Sequence, residues 1–506
     1  MLAKIHSGAV LGVDGLSVMV EVDLALGLPM FTTVGLPDGS VRESKERVKA
    51  AIKNCGYDFP QKRITVNLAP ADIKKGGAGF DLPIAIGLLA ATELFPTNIL
   101  KNYAILGELS LDGELRHVPG VLPIALKVKQ DGLKGILVPE SNKLEAAVVK
   151  GIDVIAVKSL HEAVDFLAGK KHLDPVILNQ EDLLVNCVSY DVDFQEVKGQ
   201  EHVKRAFEIA ASGGHNVALK GTPGSGKTML ARRLSTILPG MNFDEALETT
   251  KIYSIVGKLT ADTPLISTRP FRAPHHTISD VGLIGGGQIP RPGEVSLAHN
   301  GVLFLDELPE FKKHVLEVLR QPLEAGDVSI ARAHQTLQFP ARFVLVVASN
   351  PCPCGYYGDK IRECQCAPQQ IQRYNGKVSG PLLDRIDLHL EVAAVPFKEI
   401  SDERQGESSR QIKKRVDACR KIQEARCQNK RNIHCNAQMG PGEIEKYCSL
   451  DSKAIRLLER SVEKLGLSAR GYHRILKIAR TIADMDNKEN LELSHVAEAV
   501  QYRRNG

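Results

Sequence analysis

The chain has 506 residues, of which 43% are hydrophobic and 25% charged, and this length is enough for about three globular domains. Its formal net charge of +5 excludes a polycation, so any contact with nucleic acid requires local clusters of basic residues. The amino terminus, MLAKIHSGAVLG, has no signal-peptide pattern, and apolar runs such as LPIAIGLLAA are too short to span a membrane. We therefore expect a cytoplasmic protein without membrane partners, whose 10 cysteines do not form disulfides.

Residues 1–170 alternate short apolar runs such as ITVNLAP and KGILVP with helical patterns such as SNKLEAAVVK. This alternation predicts an α/β or α+β domain. The dipeptide Asp112-Gly113 lies between ILGELSL and ELRHV and predicts a two-residue hairpin turn, because a type I′ turn needs positive φ at both central residues.

The segment GELSLDGELRHVPG, continuing through a helix and a strand to GILVPESN, resembles the Lon-protease-type domain. The proteases use a serine nucleophile and a lysine. In the loop APADIKKGGAGFDLPIA, Gly77 occupies the position of that serine, and PGVLPIA has no lysine at the matching place. Because glycine supplies no hydroxyl, the resemblance implies a Lon-like fold without peptidase chemistry.

Residues 171–195 mix charges with proline and asparagine and lose clear periodicity, which predicts an interdomain linker. The next segment, DFQEVKGQEHVKRAFEIAASGG, is similar to the nucleotide-base approach of AAA+ ATPases. That similarity implies that Val197, Gly199 and Gln200 border adenine.

The stretch GTPGSGKT fits the pattern GxxxxGK(S/T) and lies between the apolar run NVALK and the amphipathic MLARRLSTIL. This order predicts a strand, a phosphate loop and a helix, in which glycines let backbone N–H groups approach a polyphosphate. Lys227 would reach the β and γ phosphates of ATP, and the Thr228 hydroxyl is placed for Mg²⁺. The predicted nucleotide-binding residues of the loop are Gly221, Thr222, Pro223, Gly224, Ser225, Gly226, Lys227 and Thr228.

The stretch RPFRAPHHTISDVGLIGGGQIPRPGEVSLAHNG is rich in glycine, proline, histidine and arginine. We expect an exposed insertion or pore loop here. We prefer phosphate contact by Arg269, Arg272 and Arg291 to metal binding by His275 and His276.

Two apolar runs after this stretch end in polar residues. Val302–Leu305 leads to Asp306, which we expect to hold Mg²⁺, and to Glu307, which we expect to polarise the attacking water. The alternative is a strand followed by an acid-rich helix start. The second run, RFVLVVASN, ends in Asn350, where AAA+ ATPases keep a polar residue that orients this water.

The cysteines Cys352, Cys354, Cys364 and Cys366 form two CxC pairs within the loop 352–366. Four thiolates on two short turns can hold one Zn²⁺ tetrahedrally and close a loop that lacks an apolar core. The alternative is a surface loop with four free thiols.

The segment GPLLDRIDLHL resembles the part of Mg-chelatase-like ATPases whose arginine reaches the nucleotide of a neighbouring subunit. This resemblance makes Arg385 the expected finger in trans, since a guanidinium can bridge phosphoryl oxygens. The alternative for Arg385 is a surface salt bridge with Asp384 or Asp387.

Within residues 401–506, the stretch 402–435 holds the basic segment RQIKKRVDACRKIQEARCQNKR, which is either a solvated helix face or a track for a phosphate backbone. The helical patterns that follow predict a helical lid. Within them, SARGYHRILKIARTIAD resembles the sensor-2 helix of Mg-chelatase and MCM-like ATPases. The resemblance implies that Arg470 points at the nucleotide, with Arg474 as the second choice.

The combination of the Lon-like domain, GTPGSGKT, FRAPHHTIS, GVLFLDE, NPCPCG, LLDRID and SARGYHRILK resembles the YifB/ComM family of Mg-chelatase-like AAA+ ATPases. The resemblance implies an α/β AAA+ P-loop core at residues 196–400, preceded by the Lon-like α+β domain and followed by the lid. It also implies a homo-hexameric ring that drives branch migration of DNA during integration of transforming DNA by homologous recombination. DNA partners would be branched molecules or single-strand/duplex junctions.

Two other functions stay open at this point. One is a chelatase-type motor that remodels a protein partner without DNA. The other is an ATP-dependent protease, which Gly77 disfavours. The residues themselves support ATP hydrolysis with Mg²⁺ by a multidomain P-loop protein.

Overall fold

The computed structural model describes residues 1–179, 190–287, 290–332, 335–359, 361–395, 406–428, 433–466 and 468–503. Part of the expected linker, 180–189, and part of the basic segment, 429–432, lie outside the described residues. The chain divides into two compact units, one comprising Met1–Cys187 with Phe243–Ser267 and the other Val188–Asn242 with Thr268–Gly506.

Strands and helices alternate in the first part of the chain, as the sequence predicts. The strands are β1 (Leu2–Leu11), β2 (Asp14–Ala25), β3 (Met30–Val34), β4 (Arg63–Ala69), β5 (Tyr103–Ile105), β6 (Glu108–Leu109), β7 (Leu115–Arg116), β8 (Gly135–Pro139) and β9 (Asp153–Val157). The α-helices are α1 (Gly39–Asn54), α2 (Asp81–Ala91), α3 (Val121–Gln130), α4 (Lys143–Ala147) and α5 (Leu160–Leu167).

The later part of the chain is richer in helix. Its strands are β10 (Val217–Gly221), β11 (Phe271–Arg272), β12 (Gly285–Gly286), β13 (Arg291–Pro292), β14 (Val302–Leu305), β15 (Asp327–Arg332), β16 (Gln335–Pro340), β17 (Val344–Ser349) and β18 (Leu388–Val392). Its helices up to β18 are α6 (Glu201–Gly213), α7 (Lys227–Ile237), α8 (Phe243–Ile255), α9 (Asp280–Ile284), α10 (Glu294–Leu297), α11 (Lys313–Glu317), α12 (Arg320–Ala325), α13 (Pro368–Asn375) and α14 (Gly380–Leu383). The helices after β18 are α15 (Ser409–Cys427), α16 (Pro441–Tyr447), α17 (Ser452–Leu465), α18 (Ala469–Met485) and α19 (Leu493–Gln501).

The first unit is built on a mixed sheet with the strand order β3-β4-β2-β1-β5-β8-β9. Helix α2 is buried along its whole length, as expected of a helix without a polar face. Gly87 lets this helix approach the sheet, because a Cβ at that position would lie 2.6 Å from Val22 Cγ2 and 2.7 Å from Ile5 Cδ1. The unit therefore has the predicted α+β character.

The hairpin predicted at Asp112-Gly113 forms between β6 and β7, but its turn differs from the prediction. Of the two residues, only Gly113 has a positive φ, 87°. The Ser110 N–H donates to Glu114 O at 2.9 Å and closes a loop of three residues with glycine in the left-handed position. The prediction of a two-residue type I′ turn was wrong, because a three-residue loop needs only one left-handed residue.

Helix α8 packs against α3 of the first unit. The Ser254 hydroxyl donates to Glu145 Oε1 at 2.5 Å, and the Gly120 N–H donates to Ser254 O at 3.0 Å. The sequence placed residues 243–267 within the ATPase core, whereas their contacts here belong to the first unit.

The second unit contains a parallel sheet with the strand order β11-β14-β17-β10-β18. In a parallel sheet the carboxyl ends of the strands share one edge, where α/β proteins bind ligands. The helices α15 and α18 pack on α6, and α15 also packs on α7, so the predicted helical region lies against the core of this unit.

The stretch expected to be an exposed insertion contributes to the core of the second unit. Its strand β11 is part of the parallel sheet, and Val295 and Ser296 are buried. Apolar side chains every few residues were enough to bury these segments despite the high glycine and proline content. Within the described part of the chain, no helix is long and apolar enough to cross a membrane.

Candidate nucleotide-binding site

The predicted phosphate loop connects the end of β10 to the start of α7. Gly221 cannot carry a side chain, because a Cβ would lie 2.3 Å from the carbonyl oxygen of Val392 on the adjacent strand. Gly224 and Gly226 have φ values of 79° and 88°, in the left-handed region that favours glycine. The glycines thus allow the tight backbone turn that points N–H groups towards a phosphate.

Lys227 is buried under this loop, with 8% of its surface exposed. Its ammonium donates to Gly221 O at 2.8 Å, to Thr222 O at 2.9 Å and to Asn350 Oδ1 at 3.2 Å. Burial lowers the pKa of Lys227, and the nearby carboxylates of Asp306 and Glu307 partly oppose this shift. Because its hydrogen-bond partners are uncharged, the ammonium favours an anionic ligand such as a phosphate.

The Thr228 hydroxyl donates to Asp306 Oδ2 at 2.6 Å, so the two predicted magnesium-binding side chains lie together. The second oxygen of Asp306, Oδ1, accepts a hydrogen bond from the Glu307 N–H at 2.9 Å. A hydroxyl and a carboxylate are the hard oxygen ligands that Mg²⁺ takes beside substrate phosphates. The donor set therefore fits this cation.

Glu307 follows Asp306 at the end of β14 with a φ of 51°, and its side chain is 54% exposed. Its Oε2 atom lies 3.7 Å from Nδ1 of His276, a residue for which we predicted neither metal binding nor catalysis. The ring of His276 also contacts that of His275, with a centroid distance of 4.0 Å and an angle of 35° between the ring planes. Strand β11 runs beside β14, so the segment after β11 reaches the segment after β14.

Gln200, predicted to border adenine, contacts the phosphate loop. Its Nε2 donates to Ser225 O and to Ala393 O, each at 3.0 Å. The segment that leads into α6 is therefore anchored to the loop that follows β10.

Arg385 lies at the opposite edge of the sheet from the phosphate loop. It precedes β18, whose first residue Leu388 pairs with Val217 at the start of β10, whereas Gly221 pairs with Val392. Four residues of strand separate the two edges, about 13 Å at the usual rise per residue. Arg385 is 4% exposed, pairs with Glu324 and donates to Pro381 O at 2.5 Å, so neither Asp384 nor Asp387 is its partner in these contacts.

Arg470 is not brought to Lys227 either. Its Nη2 lies 3.1 Å from Glu324 Oε1, so Arg385 and Arg470 share one carboxylate. Arg470 has a side chain that is 60% exposed, in contrast to that of Arg385. The sequence singled out both arginines but gave no sign of Glu324, because the three residues are far apart in the chain.

Arg474, the second choice for the arginine that points at the nucleotide, is bound to groups of the protein itself. It pairs with Asp387 and donates to Arg385 O at 2.9 Å. Asp387 also accepts from the Asn216 N–H at 2.8 Å. Burial raises and Arg474 lowers the pKa of Asp387, and the balance lies far below the usual range.

The four cysteines of the loop 352–366 lie together, with all Sγ atoms within 4.8 Å of one another. The Sγ of Cys352 is 3.3 Å from that of Cys354 and 3.7 Å from that of Cys364, and Cys354 and Cys364 are 3.6 Å apart. A tetrahedral zinc–thiolate site with bonds of about 2.3 Å has sulfur–sulfur separations of about 3.8 Å. The cluster thus has the size and donor set of a zinc site.

Comparisons with known proteins cover most of the chain. A family model described as Magnesium chelatase, subunit ChlI matches residues 193–400, its C-terminal counterpart matches 406–503, and a model described as Subunit ChlI of Mg-chelatase matches 20–142. The chain is 45% identical over 504 residues to Competence protein ComM of Haemophilus influenzae, covering 99% of this chain and 97% of that protein. It is also 45% identical over 504 residues, with the same coverage, to the uncharacterized protein YifB of Escherichia coli.

The chain belongs to the YifB/ComM family of Mg-chelatase-like AAA+ proteins. As a YifB/ComM protein it is an AAA+ ATPase, and its family implies ATP and Mg²⁺. A shorter similarity, 28% identity over 148 residues, relates it to Lon protease 2 of Bacillus subtilis, covering 28% of this chain and 26% of that protein.

The basic residues outside the nucleotide site differ in their contacts in this YifB/ComM chain. Arg269 donates to Pro239 O at 2.6 Å and to Asn300 O at 2.8 Å, and Arg272 pairs with Glu294 at 2.6 Å. The guanidinium groups of Arg269 and Arg272, both predicted to contact phosphate, are therefore bound to the protein itself. By contrast, Arg291 is exposed.

The basic side chains of helix α15 fall into two groups. Arg420 donates to Ser212 O at 3.2 Å and to Ala211 O at 2.9 Å, which joins α15 to α6. The exposed Arg415 of the same helix pairs with Glu208 and Glu407, and the other exposed basic side chains on it are Arg410, Lys414 and Lys421. These are the residues of α15 that a polyanion can reach.

Proposed function

We propose that this chain is a ring-forming AAA+ ATPase that couples ATP hydrolysis to DNA remodelling, as a branch-migration helicase. Its process would be the integration of transforming DNA by homologous recombination in the cytoplasm. The single observation that carries the proposal is the full-length similarity to Competence protein ComM. The contacts of Lys227 with Asn350 and of Thr228 with Asp306 support its ATPase part.

The residues around the phosphate loop have distinct roles in this proposal. Lys227 binds the β and γ phosphates of ATP. Thr228 and Asp306 would hold Mg²⁺, which when bound neutralises charge on the phosphates. Glu307 polarises the attacking water, and Asn350, held by Lys227, orients that water towards the γ phosphate.

The position of Arg385 supports a ring. At about 13 Å along the strand from the phosphate loop of its own subunit, its guanidinium serves a nucleotide only if that nucleotide belongs to a neighbour. Arg470 lies beside it on Glu324, so the two cations would act together on the same neighbour. A head-to-tail interface of this kind closes into a ring, which we propose to be a homo-hexamer.

DNA binding is proposed for the exposed face of α15, formed by Arg410, Lys414 and Lys421. These side chains match the phosphate backbone and carry no sequence information. The chain has no tryptophan, so any base stacking would rely on other side chains. We expect binding to branched DNA and junctions to weaken steeply with salt.

Zinc is proposed for Cys352, Cys354, Cys364 and Cys366, whose sulfur separations fit a tetrahedral site. Metal analysis of the purified protein, after passage over a chelating resin, should find about one tightly held zinc per chain. A metal-free, fully folded protein would exclude this site.

The main experiment compares ATPase rates without DNA, with linear duplex, with single strands and with four-way junctions. We expect the junction to stimulate turnover most, and Glu307→Gln to bind ATP and junction without hydrolysis. A fluorescently labelled junction then reports strand exchange. If no DNA binds or stimulates turnover while ATP is hydrolysed, the DNA motor is excluded and the ATPase stands.

The alternative, a chelatase-type motor acting on a protein partner, is supported by the two chelatase family models that match 193–400 and 406–503. It predicts that none of the DNA molecules in this experiment changes the rate of ATP hydrolysis. The protease alternative remains disfavoured, because Gly77 offers only its backbone N–H, which donates to Ser40 Oγ at 3.1 Å.

A further inference from the structure

The cysteine loop packs directly against the phosphate loop. Gly355, which follows Cys354, has a φ of 85°, and a Cβ at this position would lie 2.6 Å from both Cγ and Cδ of Pro223. Pro223 is the third residue of GTPGSGKT. The two loops are therefore in van der Waals contact at a place where only glycine fits.

A second connection runs along the chain. Asn350 accepts the hydrogen bond from Lys227 and lies two residues before Cys352. Cys352 is buried, and its Sγ accepts the Tyr357 N–H at 3.3 Å. The first cysteine thus fixes the end of the segment that carries Asn350.

Apolar packing contributes little to the cysteine loop beyond Cys352. Tyr357 is 58% and Ile361 is 89% exposed. The contacts that close the loop come from the sulfur atoms, including the Cys354 N–H that donates to Cys366 Sγ at 3.4 Å. Backbone N–H groups aimed at sulfur are the outer-shell contacts that stabilise metal-bound thiolates. A loop of this kind depends on its metal for its shape.

We propose that zinc bound by the four cysteines positions the phosphate loop and Asn350, so that metal occupancy controls the affinity of the ATPase site for nucleotide. This inference rests on the proposed zinc site and the proposed ATPase site. The contact between Gly355 and Pro223 transmits the state of the metal to the phosphate loop, and the link from Cys352 to Asn350 transmits it to the residue that orients water.

Two glycines of the same loop provide a matched pair of variants. Gly355 and Gly358 both have left-handed φ values, 85° and 80°, but a Cβ on Gly358 would meet nothing within 4 Å. Alanine at either position carries the same backbone strain. Only Gly355→Ala pushes against Pro223, so the difference between the two variants isolates the contact.

The test uses the full chain under reducing conditions and measures zinc content and the affinity for a fluorescent ATP analogue. We expect zinc removal by a chelator, or Cys364→Ser, to weaken nucleotide binding by at least about tenfold, with recovery of the chelated protein when zinc is returned. Gly355→Ala should keep its zinc and lose affinity to a similar degree, whereas Gly358→Ala should match the wild type in both measurements. Far-UV circular dichroism checks that each variant is folded.

The possible outcomes distinguish a failure of this inference from a failure of the zinc site or of the ATPase site. If zinc is bound and its removal leaves the nucleotide affinity unchanged, the inference is overturned while both proposed sites stand. Equal affinities of Gly355→Ala and Gly358→Ala would also overturn it. If no zinc is bound, the inference fails together with the zinc site, and Lys227→Ala then tests independently whether the phosphate loop binds nucleotide.

Discussion

Lys227 Nζ donates a hydrogen bond to Asn350 Oδ1 at 3.2 Å, across 123 residues of sequence. The contact forms because β10 and β17 are adjacent parallel strands, so the residues that follow them meet at one edge of the sheet. The side chain proposed to bind phosphate and the side chain proposed to orient water are thus held together in the absence of nucleotide. Such prior placement is what makes polar groups effective in catalysis.

Replacing Asn350 by alanine should separate binding from hydrolysis. Lys227 keeps its contacts with Gly221 O and Thr222 O, so we expect the dissociation constant for ATP to change little. The turnover number should fall about 100-fold, because a positioned polar group is lost from the transition state. Steady-state ATPase assays and equilibrium nucleotide binding measure the two quantities. Wild-type turnover in Asn350→Ala would exclude this role, and Lys227→Ala is the control that loses binding itself.

His276 should act on hydrolysis through Glu307. Its Nδ1 is 3.7 Å from Glu307 Oε2, within the range of an ion pair, so we expect the imidazole to orient the carboxylate. We expect His276→Ala to lower turnover about tenfold without weakening nucleotide binding, since only the orientation of the general base changes. The matched control is His275→Ala, because His275 contacts Thr277 Oγ1 at 2.9 Å. Wild-type turnover of His276→Ala would show that His276 has no role in hydrolysis.

Local sequence patterns were sufficient to predict which side chains lie together around the phosphate loop, whereas their roles stay predictions. The side chains of Lys227, Thr228, Asp306 and Asn350 follow parallel strands, and the edge they share follows from strand order in this fold. The position of Glu324 beside Arg385 could not be predicted, because it depends on segments distant in the chain. The same holds for α8, whose packing on α3 joins it to the first unit.

The buried His389 should make the second unit sensitive to mild acid. Burial, followed by the positive charge of Arg503, lowers the pKa of His389 to about 4. In the unfolded chain this pKa is about 6.5, so above that pH the residue is neutral in both states and does not affect stability. As the pH falls from 6.5 towards 4, the unfolded state binds a proton that the folded state does not, and the free energy of unfolding decreases.

At pH 4.5 this proton uptake should cost about 2.5 kcal/mol. Urea unfolding of wild type and His389→Gln between pH 7.5 and 4.5 measures the effect, since glutamine does not titrate. We expect the stability of the variant, relative to the wild type, to rise through this range as the pH falls. A constant difference would show that His389 titrates equally in both states. Asp387, with its strongly lowered pKa, stays ionised in this window.

Arg385 should act on the nucleotide of a neighbouring subunit. In its own subunit it pairs with Glu324, which also binds Arg470, at the edge of the sheet away from the phosphate loop. Arg385→Ala and Lys227→Ala should each be inactive, the first without the finger and the second without a nucleotide. In an oligomer that contains both variants, the intact Arg385 of one subunit lies beside the intact Lys227 of its neighbour.

For equal amounts of the two inactive variants, random assembly leaves about a quarter of the sites competent, so the mixture should regain up to about that fraction of the ATPase rate. Co-purification of the two variants, each carrying a different affinity tag, establishes that mixed oligomers form, and the double variant mixed with wild type controls for nonspecific stabilisation. If mixed oligomers form and the ATPase rate does not recover, Arg385 does not act on the nucleotide of a neighbouring subunit. Recovery requires that one subunit contribute the arginine and its neighbour the phosphate loop, which makes assembly a condition of hydrolysis.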